Sequence, residues 1–342
     1  MQIIYLLTDY KGRFGTKYTA VPYRSGMDRD LLGEEFRSHG LDARFVRASE
    51  VFERVREIKG NMFLYTSSED MNSSYKSFLD DVVLAIDTMK GIVVPAYVRL
   101  HAHNNKVFME MLKKEWGGQL GDTLRSECFG SLQDLDISGS RLPFPVVVKR
   151  PEGFKSRGVF LAKNMSELRH IVKNISSTPD VYGGLKDRIR TVLHKGFVPE
   201  SQHRKKFLLQ EFIPGLTGDW KILVYGQKYY PLLRQTRRND FRASGSGLLS
   251  YPEELPEGLL DFAERAIEHF NVPNVSLDIA RDPRGYHLLE TQFLYFGTYT
   301  IEHSDFYFIK RNDGWFKVNE KSLLEREYAN SIAEYLIKNP IA

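Results

Sequence analysis

The sequence predicts an α/β protein, and three observations favour this fold class. Short apolar runs, such as residues 3–7 and 62–65, have the length and composition of buried strands. Segments with apolar residues at helical spacing, such as residues 28–39, alternate with them. The 342 residues, of which 42% are hydrophobic, are enough to bury a sizeable core. This alternation along the chain is the pattern of α/β architecture.

The predicted elements group into three domains. Residues 1–98 are expected to form an N-terminal Rossmann-like domain, with strands at 3–7, 43–46, 62–65 and 91–95 and helices at 28–39 and 73–89. Residues 99–206 form a central lobe, with a helix at 104–116 ended by Gly117-Gly118, strands at 144–149 and 158–161, a helix at 166–175 and a surface excursion at 176–206. Residues 207–342 form a C-terminal lobe, with early strands, a helix at 258–270, a hairpin around Asp282-Pro-Arg-Gly285 and a helix at 321–338.

Composition limits the classes of partner and compartment. The 48 basic and 44 acidic residues give a net charge of +4, which argues only weakly for an anionic ligand, and no nucleic-acid-binding module is recognised, so no nucleic-acid partner is expected. Cys128 is the only cysteine, so neither an intrachain disulfide nor a cysteine zinc site can form. We expect a cytoplasmic protein without a membrane span, since no signal peptide and no apolar run of ~20 residues is present. A homo-oligomer is left open.

A lysine at the end of an apolar strand is the first candidate for anion binding. Lys149 ends the predicted strand 144–149, where an ammonium group can attract phosphate oxygens. By itself, a lysine at a strand end is most often solvated. The loop that follows has Gly153, Ser156 and Gly158 with two cations, a composition suited to folding over a triphosphate with its backbone N–H groups. Neither the P-loop pattern nor the dinucleotide fingerprint is present.

A second segment carries groups suited to a nucleoside. A strand edge at Gln210, Glu211, Phe212 and Ile213 offers backbone groups to an adenine, and Asp219 follows at a distance suited to ribose hydroxyls. Each of the two acidic residues also has an ordinary structural interpretation. Taken alone, Glu211 is more often a solvated strand residue, and Asp219 is more often a turn former.

The order of these motifs resembles the ATP-grasp superfamily over residues 99–300. The resemblance rests on the following succession: Lys106, Val147-Val-Lys149, Gln210-Glu211-Phe-Ile, Asp219-Trp-Lys221, Arg234 through Phe241-Arg242, Leu277-Asp278-Ile and Leu289-Glu290-Thr-Gln292. Within the superfamily, the stretch from Gln210 to Arg242 is most similar to the branch of amino-acid ligases that modifies ribosomal protein S6. The central and C-terminal lobes are then the two ATP-grasp lobes, with the metal site in the second, and residues 1–98 are the domain that precedes them.

The resemblance implies a role for each candidate residue. Lys106 and Lys149 would contact the phosphates of ATP, under the loop with Gly153, Ser156 and Gly158. Gln210, Glu211, Phe212 and Ile213 would form the adenine hinge, with Asp219 on the ribose. Arg234 would lie near the phosphates, and Arg242 near the acyl group or its phosphate.

Asp278, Glu290 and Gln292 would hold Mg²⁺, or Mn²⁺ in its place. This set also has a physical basis, because Mg²⁺ prefers hard oxygen ligands and one or two carboxylates beside phosphate oxygens. The predicted hairpin would bring Asp278 and Glu290 to one face of a sheet. An alternative is that Asp278 pairs with a nearby arginine.

Two departures from the family pattern concern turnover. Gln292 stands where the pattern has asparagine, and Phe293-Leu-Tyr-Phe296 replaces a short loop of small residues. The acceptor pocket is therefore expected to differ from that of the well-known ligases.

The implied activity is an ATP- and Mg²⁺-dependent carboxylate–amine ligase that works through an acyl phosphate. Its substrates would be a small-molecule or peptide carboxylate and an amine. Two alternatives stay open: an ATP-grasp kinase that phosphorylates a hydroxyl, and a nucleotide-binding regulatory module that has lost turnover.

Overall fold

The computed structural model describes residues 1–68, 74–153, 158–238, 240–312 and 314–340. The chain divides into two compact units. Unit 1 contains residues 1–104, 119–122 and 216–342, and unit 2 contains residues 105–118 and 123–215. Within the described residues, no helix is both long and apolar enough to traverse a lipid bilayer.

The strands in chain order are β1 (Gln2–Thr8), β2 (Leu41–Arg47), β3 (Met62–Tyr65), β4 (Ile92–Val94), β5 (Ser126–Phe129), β6 (Val146–Lys149), β7 (Val159–Ala162), β8 (Phe207–Glu211), β9 (Gly218–Tyr225), β10 (Lys228–Gln235), β11 (Leu249–Ser250), β12 (Asn274–Asp282), β13 (Gly285–Gln292), β14 (Tyr307–Arg311) and β15 (Gly314–Val318). The α-helices are α1 (Arg29–Ser38), α2 (Val51–Arg54), α3 (Ser74–Thr88), α4 (Tyr97–Ala102), α5 (Lys106–Leu120), α6 (Leu132–Ser138), α7 (Met165–Ile175), α8 (Val181–Leu193), α9 (Leu259–Phe270), α10 (Tyr299–His303) and α11 (Leu324–Lys338).

Unit 1 contains a parallel sheet that the sequence predicts. Its strand order is β2-β1-β3-β4, and every pairing is parallel. Helix α1 begins where Asp28 accepts hydrogen bonds from the backbone N–H groups of Asp30 and Leu31, which satisfies donors that the first turn leaves open. The predicted Rossmann-like arrangement of these elements is present.

Unit 1 also contains an antiparallel sheet of seven strands. Their order is β13-β12-β9-β10-β14-β15, and β11 pairs with β10. One apolar core joins this sheet to the parallel one, because Leu6 and Leu64 share a cluster with Leu223, Tyr230 and Ile332. The hairpin expected around Asp282 is formed by β12 and β13.

Unit 2 is built on a four-stranded sheet in the order β5-β8-β6-β7. Helices α6 and α7 cover one face, where Val146, Val148 and Leu209 pack against Leu135 and Leu168. Successive side chains of a strand point to opposite faces of the sheet, so Lys149 lies on the face opposite to Val146 and Val148.

Two expectations about secondary structure were wrong. The helix predicted at 104–116 does not end at Gly117-Gly118, because α5 runs from Lys106 through both glycines to Leu120. The excursion at 176–206 contains the 13-residue helix α8, which the sequence analysis did not predict.

The three-domain division stays a prediction, and the boundaries of the two compact units differ from it. Strand β8 begins at residue 207, the expected start of the C-terminal lobe, yet it pairs with β5 and β6 in unit 2. Residues 1–98 and the strands from β9 onward belong to one unit.

Candidate functional site

One face of the antiparallel sheet in unit 1 collects the charged residues that the sequence singles out. Asp278 pairs in register with Glu290 on β13 and with Lys221 on β9. Residues directly opposite each other in antiparallel strands, and residues two apart on one strand, point to the same face. We call the following set the acidic face: Asp219, Lys221, Arg234, Asp278, Glu290 and Gln292.

Arg234 links two carboxylates of the acidic face. Its Nε lies 2.6 Å from Asp219 Oδ1, and its Nη2 lies 2.7 Å from Asp278 Oδ2. Burial alone would lower the pKa of Arg234, but the two aspartates raise it. Burial also raises the pKa of Asp219, against the attraction of Arg234. The guanidinium therefore stays charged and fixes both carboxylates in place.

Lys221 is the second cation of the acidic face. Its Nζ donates to Ser276 Oγ at 2.6 Å and lies 3.7 Å from Asp278 Oδ1. Burial lowers the pKa of Lys221, while Asp278 raises it. Three carboxylates stand against two cations, so the face has one negative charge in excess.

The donor set of the acidic face suits a hard divalent cation. Asp278 and Glu290 are directly opposite each other, and Gln292 pairs with Ser276 one step along the same face. The strand register shifts immediately after Asp278, and such irregularities are frequent beside functional sites. In the described ranges, no three His, Cys, Asp or Glu side chains converge into a metal site. Two carboxylates and an amide nevertheless fit Mg²⁺, which completes its shell with phosphate oxygens and water.

Unit 2 contains a contrasting set of buried cations. On α5, Lys106, Glu110 and Lys113 are spaced by four and three residues, so they share one side of the helix, and all three are buried. Glu110 Oε1 accepts a hydrogen bond from Gln210 Nε2 at 3.1 Å, which shows that this side of α5 faces β8.

Lys149 belongs to the same buried surface. It is buried at the end of β6, and the register places it on the sheet face that Gln210 shares. We call Lys106, Lys113 and Lys149 the lysine cluster. Glu110 lies between Lys106 and Lys113 on the same side of α5, so these four buried side chains comprise three ammonium groups and one carboxylate.

The loop after Lys149 is described at its two ends. Gly153 O accepts a hydrogen bond from Lys106 Nζ at 3.0 Å, and Arg150 N donates to Gly158 O at 2.9 Å. Gly158 has a φ of +92°, and a Cβ there would lie 3.0 Å from the Arg150 side chain, so the position favours glycine. Ser156 lies outside the described residues.

The predicted adenine hinge is the end of β8 and the residues that follow it. Gln210 and Ile213 are buried, while Glu211 and Phe212 are partly exposed. Glu211 Oε2 lies 3.2 Å from Arg125 Nε, and Glu211 N donates to Arg125 O at 2.9 Å. The roles assigned to these four residues stay predictions.

Arg242 is held by its own loop. Its Nε lies 2.9 Å from Asp240 Oδ1, and its Nη2 lies 2.9 Å from Asp240 Oδ2, so the pair is bidentate. These hydrogen bonds raise the pKa of Arg242 and lower that of Asp240. An acyl group bound by Arg242 would have to compete with this carboxylate.

The aromatic residues after Gln292 are mostly part of the core. The ring of Phe293 lies 5.1 Å from that of Phe270, edge to face, and the ring of Phe296 lies 6.1 Å from that of Tyr225. Both phenylalanines are buried. The substitution of small residues by aromatic ones therefore anchors this loop to unit 1.

Sequence reasoning missed several residues of these two sets. Glu110 and Lys113 were not singled out, because their spacing from Lys106 indicates a shared side of a helix but not that this side is buried. Lys221 was quoted in a motif without a role. A further buried group in unit 1 went unnoticed, in which His287 lies 3.0 Å from Asp122 Oδ1 and 2.9 Å from Asp282 Oδ1.

Comparison with known proteins identifies the fold. No protein-family model and no curated protein matches the chain. Among solved structures, D-cycloserine synthetase DcsG is similar with a TM-score of 0.57, 11% identity and coverage of 98% of this chain and 99% of that chain. A RimK domain protein ATP-grasp from Sphaerobacter thermophilus has a TM-score of 0.53, 14% identity and coverage of 98% and 99%. The ADP complex of purK, an N5-carboxyaminoimidazole ribonucleotide synthetase, has a TM-score of 0.52, 9% identity and coverage of 89% and 73%. The chain therefore has the ATP-grasp fold, as the sequence predicts.

Proposed function

We propose that this ATP-grasp chain is an ATP-dependent ligase that joins a carboxylate to an amine through an acyl phosphate. The observation that carries the proposal is the acidic face, where Asp278, Glu290 and Gln292 point to one side of a sheet beside Arg234. Such a set suits a magnesium-bound triphosphate better than it suits a structural ion pair alone. The similarity to the structures of D-cycloserine synthetase and of the ADP complex of N5-carboxyaminoimidazole ribonucleotide synthetase supports the choice of reaction.

The nucleotide would be held by unit 2. Lys106 and Lys149 would contact the phosphates, helped by Lys113, because an ammonium group donates charge-assisted hydrogen bonds to phosphate oxygens, and its attraction to an anion is stronger where water is excluded. The backbone of residues 210–213 would meet the adenine, and Gly153 and Gly158 would place loop N–H groups at the phosphates. Asp219 would reach the ribose only by sharing its carboxylate with Arg234.

Asp278, Glu290 and Gln292 would hold Mg²⁺ or Mn²⁺. When bound, the metal supplies positive charge that neutralises phosphate oxygens during transfer. Arg234 orients the Asp278 carboxylate for this task, and Lys221 limits the negative charge of the face when no metal is present.

The substrate carboxylate would attack the γ-phosphorus and release ADP, and an amine would then displace phosphate from the acyl carbon. Arg242 would donate to the acyl oxygen once it exchanges Asp240 for substrate. One such preorganised donor is worth about 3 kcal/mol in the transition state. The substrates proposed are a small-molecule or peptide acid and an amine.

The test is ADP release from ATP and Mg²⁺ in the presence of pooled carboxylic acids and pooled amines, each pool omitted in turn. A ligase should give amide product only with both pools. Glu290→Gln and Lys149→Met should each lose activity. Glu254→Gln and Lys163→Met, which change exposed residues, are the matched controls.

Three results would contradict the ligase. Phosphorylated product from a hydroxyl compound, formed without any amine, would identify a kinase. ATP binding without ADP release over a broad panel would indicate a regulatory module. Equal rates for Glu290→Gln and its control would remove the acidic face from the reaction.

A further inference from the structure

Helix α8 in unit 2 is attached to its unit by its polar side. Asp187 is buried and accepts hydrogen bonds from Glu200 N and Arg190 Nη1, both at 3.0 Å. Asp180 accepts from Gly183 N at 2.8 Å and so caps the first turn. Gly184 lies beside Gln202, since a Cβ there would be 3.7 Å from Gln202 Nε2.

The segment that contains α8 is fixed at its base. Lys205 N donates to Ser176 O at 3.1 Å, and Thr178 N donates to Gln202 O at 2.8 Å. Leu132 N on α6 donates to His203 O at 3.0 Å. Helix α8 is therefore held in one orientation by backbone hydrogen bonds on either side of it.

The opposite side of α8 is apolar and exposed to solvent. With about 100° between successive residues, one continuous arc of the helix surface carries six apolar or aromatic side chains: Val181 (88% exposed), Tyr182 (72%), Leu185 (60%), Ile189 (53%), Val192 (85%) and Leu193 (69%). A helix on the surface of a globular protein normally turns such an arc toward the core. The reversed orientation of α8 marks an interaction surface.

Cations lie along both edges of the apolar arc. The exposed Lys186 follows it on one side, where Arg190 also lies beside its partner Asp187, and the exposed Arg188 precedes it on the other. Lys186 Nζ lies 4.3 Å from the centre of the Tyr182 ring. The carboxylate in this helix, that of Asp187, is buried on the attached side. The outward surface is therefore apolar at its centre and positive at its margins.

We propose that α8 docks the protein on an anionic phospholipid surface. An apolar stripe flanked by lysine and arginine is the design of helices that lie in the membrane interface, where the stripe enters the acyl boundary and the cations meet lipid phosphates. A second copy of this chain is disfavoured as the occupant, because two such faces would bring their cationic margins together. The exposed side of one helix is convex and forms no groove for a partner segment, which suits a bilayer surface.

The experiment is sedimentation of the full chain with vesicles. The protein should bind vesicles that contain phosphatidylglycerol and phosphatidylcholine, and it should bind pure phosphatidylcholine far more weakly. Binding should fall as salt is raised, because lipid charge is screened. The double variant Leu185→Ser/Ile189→Ser should lower the partition coefficient at least about tenfold, and Lys186→Ala should lower it about fivefold.

The control is Ile137→Ser, which removes an 85% exposed apolar side chain from α6 in the same unit and should leave vesicle binding unchanged. Because the changed residues are exposed, thermal unfolding of every variant should match that of the parent. The proposal is overturned if phosphatidylglycerol vesicles do not retain the parent protein, or if the double variant binds like the parent. It is also overturned if the double variant dissociates a dimer seen by sedimentation velocity, since a second copy would then cover α8.

Discussion

The acidic face of unit 1 and the lysine cluster of unit 2 both contain buried charged residues, but the two sets differ in which sign of charge predominates. In the acidic face, Arg234 is held by two carboxylates, and Lys221 lies near one of them. The lysine cluster consists of three buried lysines, and two of them share one side of α5 with the buried Glu110. The first set has a small excess of negative charge, and the second has an excess of positive charge.

The difference indicates complementary ligands. Buried charges are tolerated when groups of opposite charge compensate them, and those groups can belong to a ligand. An excess of carboxylate oxygens suits a divalent cation, whereas an excess of ammonium groups suits phosphate oxygens.

The largest effect is expected from breaking the ion pairs of the acidic face. Arg234→Met should lower the free energy of unfolding by about 3–5 kcal/mol, because it leaves the carboxylates of Asp219 and Asp278 without their shared cation. Arg238→Met changes an exposed arginine and should have almost no effect. Denaturant unfolding measures both. Asp219→Asn/Asp278→Asn, added to Arg234→Met, should restore part of the loss, and a loss from Arg234→Met below about 1 kcal/mol would show that these pairs behave as solvated ones.

The next effect concerns the residues of the same face that we propose as metal ligands. Glu290→Gln keeps the size of the side chain but removes a charged oxygen ligand, so ADP release should fall about 100-fold or more. Raising Mg²⁺ should recover part of the rate, which a purely structural loss would not allow. A normal rate at low Mg²⁺ would separate the acidic face from catalysis.

Substitutions in the lysine cluster should lower the affinity of the protein for ATP. Lys149→Met and Lys113→Met should each weaken ATP binding about tenfold to a hundredfold, since each removes one of the ammonium groups that we propose as donors to phosphate. Calorimetric titration with ATP is the measurement. If Lys113→Met binds ATP like the parent, the cluster is limited to the two lysines that the sequence identified.

A smaller, pH-dependent effect is expected at His287, which is buried between Asp122 and Asp282. Burial would lower the pKa of His287, but the two carboxylates raise it above its ordinary value. Arg284 and His287 lower the pKa of Asp282 to about 2, against the effect of its partial burial. Because the pKa of His287 is raised on folding, its contribution to stability is complete below the unfolded value of about 6.5 and is lost as the pH rises through the folded value.

Unfolding measured at several pH values checks this sign. The difference in stability between the parent and His287→Gln should be greater near pH 6 than near pH 9. A difference that grows with rising pH would show that the imidazole is neutral in the folded protein.

Much of the fold could be predicted because local patterns agree with tertiary packing. Strand β3 occupies the predicted residues 62–65, and α9 starts one residue after the predicted start at 258. Helix α5 was predicted to end too early, because tertiary contacts can outweigh the cost of about 1 kcal/mol that each glycine adds to a helix. Helix α8 was missed because its apolar residues are interrupted by Gly183-Gly184 and by cations.

The site could be predicted only as a set of candidates. The hairpin β12–β13 was readable, so the shared face of Asp278 and Glu290 followed from strand alternation. The pairing of Arg234 with Asp219 and Asp278 depends on the order of strands that are distant in sequence, which no local pattern fixes. Glu110 and Lys113 resemble solvated helix residues until a sheet is known to lie beneath them.

The most direct test of the division between the two charged sets is ATP affinity measured with and without Mg²⁺ for the parent, Lys149→Met and Glu290→Gln. Lys149→Met should weaken binding under both conditions, whereas Glu290→Gln should weaken it only when Mg²⁺ is present. Equal weakening by Glu290→Gln without Mg²⁺, or parental affinity in Lys149→Met, would contradict it.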